Sequence, residues 1–253
     1  MLTFFRKIRK ELLGSGQARK YLLYAIGEIA LVVLGILIAL QINNWNENRM
    51  DQKAISNYFE RIHEELQGGV EDIDNYLVIT KPLIDLNRRT LEILNTKNPD
   101  SVNVLEETLG ALGTSWSLVL KLPVTEEFLS QDYLSKINSD SIKIGFNQFT
   151  QMRKTQMDFS QATRDQYNHT IEPFFIQNIN YSQVAMQLYR PLLIEGGPRN
   201  NYKDLLDNLE LWNIVTFKLE ALSNERLSLN HARNLLIWLD GKLVQELELM
   251  NDD

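Results

Sequence analysis

Residues 21–42 form an unbroken run of 22 residues that is apolar apart from Glu28 and Gln41. As a helix rising about 1.5 Å per residue, it spans about 33 Å, enough for a bilayer core of about 30 Å. No other feature constrains the chain so strongly. The apolar part of a cleavable signal peptide is shorter, about 7–15 residues, and ends on a small-x-small site. Ile38-Ala39-Leu40-Gln41 does not fit that site, so the run reads as an uncleaved anchor.

Charge is distributed around this run in a directional way. Arg6, Lys7, Arg9, Lys10, Arg19 and Lys20 precede it with one acid, Glu11, so residues 1–20 carry +5. Removing that tip and Glu28 from the chain's −7 leaves −11 on residues 43–253. The positive-inside rule keeps the basic flank in the cytoplasm and sends the net-acidic stretch of 211 residues across the membrane. The same imbalance argues against nucleic-acid binding, which needs a basic body. There is no cysteine, so there is neither a lipoprotein acceptor nor a disulfide, and the body must be stabilised by packing. Three segments follow: a basic amphipathic cytoplasmic segment (1–20), a transmembrane helix (21–45) and a periplasmic or exterior helical domain (46–253).

Within the first segment, Leu2, Phe5, Ile8, Leu12 and Leu13 share a helical face opposite the basic residues, before Gly14-Ser15-Gly16 breaks the helix. That is the pattern of a helix lying on anionic lipids, or simply of a topology signal. At the outer end, Gln41, Asn43, Asn44 and Trp45 occupy the interface, with Trp45 placed as in an aromatic belt. Glu28 lies about 10 Å into the span, where a charge is costly. It either snorkels or stays protonated with no further role, faces a partner helix, or lines an aqueous path. Tyr24, Glu28, Leu31, Gly35 and Ala39 fall close to one stripe, and Gly35/Ala39 is a small-xxx-small pair that lets backbones approach.

The run KYLLYAIGEIALVVLGILIALQINNWNENR, with FFRKIRKELL before it, resembles the N-terminal signature of a Bacteroidota family of N-terminally anchored, single-pass membrane proteins of unknown function. Thr125-Glu126-Glu127-Phe128-Leu129-Ser130-Gln131-Asp132-Tyr133-Leu134-Ser135-Lys136-Ile137 resembles it more loosely, with Gln131-Asp132 where members often have a Ser-Gly turn. The resemblance implies one span, a helical extracytoplasmic domain and no catalytic residues.

The body reads as helical. Ile55, Tyr58, Phe59, Ile62 and Leu66 continue the first helix at i, i+3, i+4, i+7, i+11 spacing. Gly68-Gly69 is expected to end it. A helix over about 70–96 should kink or split at Pro82. Asn98-Pro99-Asp100 is a turn, and Ser101 is a candidate cap for a short helix to about 112. Residues 115–123 read as extended or as a buried connection, and a short helix begins at Thr125. Asn138-Ser139-Asp140 opens a helix that Pro173 should stop, residues 173–202 are irregular, and a last helix spans about 203–249. The expected fold class is all-α, with one N-terminal transmembrane helix continuing into an extracytoplasmic antiparallel bundle of about four main helices.

Motifs for chemistry are missing from this sequence. It has no phosphate-binding glycine loop and no nucleophile elbow. His63-Glu64-Glu65 begins an H-E-x-x-H pattern, but position 67 is Gln. Glu60-Arg61-Ile62-His63 has the spacing of a di-metal carboxylate ligand pair, yet no second Glu-x-x-His exists. Neither metal nor cofactor is therefore implied. Asn168-His169-Thr170 is a sequon in form only. Tyr167, Phe174, Phe175, Tyr181 and Tyr189 either line a pocket or pack one end of the bundle, and the Gly196-Gly197-Pro198-Arg199-Asn200-Asn201 loop either meets a partner or simply turns. The functional expectation is a non-enzymatic, self-associating scaffold or sensory module in the bacterial inner membrane, touching lipids, its own copies and another membrane protein. Its basic segment is too short for an output domain. The alternative is a small homo-oligomeric ion or proton channel with Glu28 lining the pore.

Overall fold

The structure is a computed structural model and describes residues 18–252. Among them there are helices and no strand, so the all-α expectation holds. Arg6, Lys7, Arg9 and Lys10, and with them the amphipathic segment 2–13, lie outside the described residues. The chain divides into two compact units, residues 1–56 and 57–253.

Helix α1 is Ala18–Thr96 and begins with Arg19 and Lys20 in its first turn. Neither Gly68-Gly69 nor Pro82 ends it. A Cβ on Gly69 would lie 3.1 Å from Leu236 Cδ1 and 3.3 Å from Leu122 Cδ2, so this glycine serves close packing and not termination. Pro82 lies on the solvent face, and the carbonyl it leaves unbonded belongs to exposed Val78, where water can satisfy it. Burial of Ile73, Tyr76 and Leu83 on either side holds the helix together. Its true end is Lys97, which adopts φ 51° and donates its N–H to Ile93 O at 2.9 Å. The expected Asn98-Pro99-Asp100 turn follows, with Asp100 N–H bonded to Asn98 Oδ1 at 3.0 Å.

Beyond it, Val102–Val104 and Leu109–Ala111 are 3₁₀ turns around α2, Leu105–Thr108. Ser101 is itself helical and makes no capping bond, unlike the expectation. Residues 114–122 have no regular structure. Then come α3 (Pro123–Ser130), α4 (Tyr133–Lys136) and α5 (Asp140–Gln166). Pro173 does not stop this run. A π turn, Tyr167–Ile171, leads directly into α6, Glu172–Asn178, and the proline sits in the first turn, where a missing N–H is tolerated. After α7 (Tyr181–Val184), α8 is Leu209–Asp252. It starts later than expected because Asn208 is its cap, accepting Leu211 N–H at 2.8 Å.

In the second unit, three long helices build the bundle, one fewer than expected because α1 is not divided. His63 Nδ1 meets Asp240 Oδ1 at 2.5 Å, Arg233 Nε meets Asp74 Oδ1 at 2.7 Å, and Arg226 Nη1 donates to Leu77 O at 2.8 Å. These pairs set α8 antiparallel to α1. Gly145 abuts Trp238 and Leu239, while Ile171 and Phe174 share a cluster with Leu211 and Ile214, so α5 also runs against α8. At one end, Phe128 is fully buried among Phe59, Phe146, Tyr58 and Tyr133, with ring centroids 5.1–6.0 Å apart. At the other, Ile93, Leu105, Leu109, Phe174, Phe175 and Leu211 form a second apolar core.

Candidate functional site

Between those two apolar ends the core turns polar. On α8 one seam repeats every seven residues: Leu211, Lys218, Glu225, Ala232 and Leu239, all buried. Two ionisable side chains thus occupy positions that packing assigns to leucine. On α1 the buried polar positions over the same region are Tyr76, Thr80, Asn87 and Thr90, and α5 presents Gln156, Ser160 and Thr163.

Lys218 is 1% exposed, and its ammonium donates to the Thr114 carbonyl at 2.6 Å. Burial pulls its pKa down to about 8, a shift that attraction to Glu225 partly offsets. Glu225 accepts from Tyr76 Oη at 3.2 Å and from Leu118 N–H at 3.3 Å. Its burial raises the carboxyl pKa, opposed by Ser117, by those two hydrogen bonds and by Lys218. Tyr76 is pushed up in turn by burial and by the adjacent Glu225. Nearby, Thr90 donates to Thr108 at 2.8 Å. Three amides carry buried polar atoms with no hydrogen-bond partner among the described residues: Asn87 at Oδ1, Gln156 at both ends and Gln166 at Oε1.

Together with Lys218 and Glu225, two further charged side chains fasten residues 114–125. Arg153 of α5 donates to Leu120 O and pairs with Glu126. Glu65 of α1 accepts Val124 N–H at 2.7 Å, Thr125 N–H at 2.8 Å and Thr125 Oγ1 at 2.7 Å. Leu122, the residue before α3, offers no side-chain cap, so a carboxylate from another helix supplies it.

The residues singled out from sequence fall elsewhere. Tyr24, Leu31, Gly35 and Ala39 are exposed on α1, whereas Glu28 is half-buried in a shallow groove with Ala25, Ile29, Val32 and Val33. Gln41, Asn43, Asn44 and Trp45 are exposed. Asn43 donates to Glu47 at 2.8 Å, and Arg49 lies 5.9 Å from the Trp45 ring centre. His63 is an interhelical partner of Asp240 and also contacts Gln67 at 3.2 Å. No cluster of three potential metal ligands occurs among the described residues.

The 167–191 aromatics pack the bundle end. Phe174, Phe175 and Tyr181 stack edge to face, and Tyr189 accepts from Trp116 Nε1 at 2.9 Å. The Gly196–Asn201 stretch borders an open cleft of about 630 Å³ with Ile176 and Ile194 at its lip, and Asn180 ties it down by donating to Gly196 O and Pro198 O. Sequence reading missed the polar layer. Its signal was available: Lys218 and Glu225 are seven residues apart on the stripe that carries Leu211 and Leu239.

Among the described residues one helix, α1, contains a segment near the N-terminus long and apolar enough to cross a membrane, with none of it buried within the chain. No curated protein and no solved structure matches the chain. Residues 28–158, from inside the apolar run to within α5, match a family of unknown function, and the chain therefore belongs to that family, DUF6090.

Proposed function

We propose that this chain is a membrane-anchored interaction module. Residues 21–45 hold it in a bacterial inner membrane, with the basic N-terminus cytoplasmic and the helical domain periplasmic. It self-associates through Tyr24, Glu28, Leu31, Gly35 and Ala39 and acts through a partner membrane protein. The observation that carries this reading is that residues 22–42 are strongly apolar and bury nothing against the rest of the chain. An apolar surface of that length needs lipid or other helices to cover it. The charge contrast across the run supports the orientation.

The native chain contains no cysteine, so single-cysteine variants give an unambiguous topology test. Ser15→Cys and exposed Asp158→Cys are each expressed in a diderm bacterium and treated with a membrane-impermeant maleimide. Asp158→Cys should label once the outer membrane is permeabilised, and Ser15→Cys only after the inner membrane is disrupted. The reverse pattern, or recovery of both variants in the soluble fraction, contradicts the proposal.

A further inference from the structure

Residues 114–122 lie across the bundle as a strap without helical hydrogen bonds of their own. Two of the long helices hold it with ionisable side chains, and the third holds the helix it leads into. Lys218 and Glu225 of α8 hold Thr114 O and Leu118 N–H, Arg153 of α5 holds Leu120 O, and Glu65 of α1 holds the start of α3. The two halves of the strap are anchored differently. Leu120 and Leu122 are buried apolar anchors. Residues 114–118 instead cover the polar layer, with Trp116 resting partly buried beside Leu83, Ala111 and Leu222. Uncovering apolar core costs about 25 cal/mol per Å², whereas uncovering ionisable groups returns hydration to them. The strap's first half is therefore cheaper to open than its second.

We propose that residues 114–118 form a detachable latch, released from Lys218 and Glu225 while the three long helices stay folded, so that the domain has a closed state and an open state. The titratable groups that face the latch are few. From α8 they are Lys218 and Glu225, from α1 Tyr76, and from the segment after α7 Tyr189, which accepts from Trp116 Nε1 at 2.9 Å. On α5, Gln156, Ser160 and Thr163 do not titrate, and Arg164 is held by Ser160 and Gln161. Arg226 is held by Leu77 O and Arg233 by Asp74. The latch thus responds to the proton on Lys218. Losing that proton removes a buried charge while the amine still donates to Thr114 O, so closure strengthens as pH rises through about 8.

The test is amide hydrogen exchange of the full chain in detergent, from pH 7 to 9.5, with each rate corrected for intrinsic chemistry and referred to α8. Peptides covering residues 114–118 should exchange faster than α8 at pH 7 and gain protection towards pH 9.5. Lys218→Met should abolish that gain and speed strap exchange at pH 7 by about tenfold or more, keeping it ahead of α8. Glu225→Gln keeps an acceptor for Leu118 and Tyr76 but removes the attraction, so the gain should move to lower pH. Strap exchange that keeps pace with α8 at every pH, or an identical pH response in Lys218→Met, overturns the latch. Should Lys218→Met not fold, the wild-type series and Glu225→Gln decide it.

Discussion

Replacing both buried ionisable residues of α8 should stabilise the domain, while replacing either alone should weaken it. For Lys218, a fall in pKa from 10.5 to about 8 corresponds to about 3 kcal/mol against the charged form. Glu225 carries a penalty of the same sign, since burial raises its carboxyl pKa. The two sit two turns apart on one seam, and each is satisfied by a different part of the strap. Lys218→Met leaves Glu225 buried without its counter-charge, and Glu225→Leu does the same to Lys218. Each single change should cost about 3–5 kcal/mol. The pair Lys218→Met/Glu225→Leu removes both penalties, restores an apolar heptad seam and should end about 1–4 kcal/mol above wild type. Thermal unfolding of the full chain in detergent, followed by circular dichroism, reads this directly. In a domain of this size each kcal/mol shifts Tm by about 2–4 °C. If the two single losses simply add in the double variant, the residues do not share a field and the reasoning fails.

Other outcomes follow from the same geometry. Between pH 8 and 10.5 the unfolded chain binds more protons at position 218 than the folded one, so the stability contributed by this site rises with pH in that window; comparing wild-type melting temperatures with those of Lys218→Met isolates the term. Glu65→Ala removes three hydrogen bonds from the start of α3 and should cost about 1.5–3 kcal/mol in the same melts. Gly110→Ala should cost about 1–3 kcal/mol or more, because a Cβ there would lie 2.2 Å from Val184 O and 2.8 Å from Met186 N, and backbone cannot move aside as a side-chain tip can.

The features legible in the sequence were those written in local pattern. Periodicity located the long helices, and Asn98-Pro99-Asp100 marked the turn that follows α1. The misreadings came where tertiary packing overrules a local signal. Gly68-Gly69 and Pro82 look like stops, yet one glycine is needed where Leu236 and Leu122 approach, and the proline spends its missing bond on the solvent face. Pro173 follows a π turn that carries the helix past it. The cap of α3 comes from Glu65, 58 residues before its first residue, Pro123, and no local rule reaches that far. Lys218 and Glu225 were hidden among the many apolar positions of the last helix. A strict seven-residue register, in place of a count of leucines, exposes them.

The proposed function depends on a membrane helix that associates through the face bearing Glu28. Native mass spectrometry of full-length wild type and Glu28→Ala, extracted gently from their own membranes, tests this directly. The proposed function requires wild type to emerge as a small oligomer of two or three copies carrying a second membrane protein, with Glu28→Ala shifted towards monomer. Identical masses for the two proteins would contradict the role given to Glu28, and an assembly of four or more copies with no partner, passing cations or protons in liposomes, would replace the interaction module with a channel.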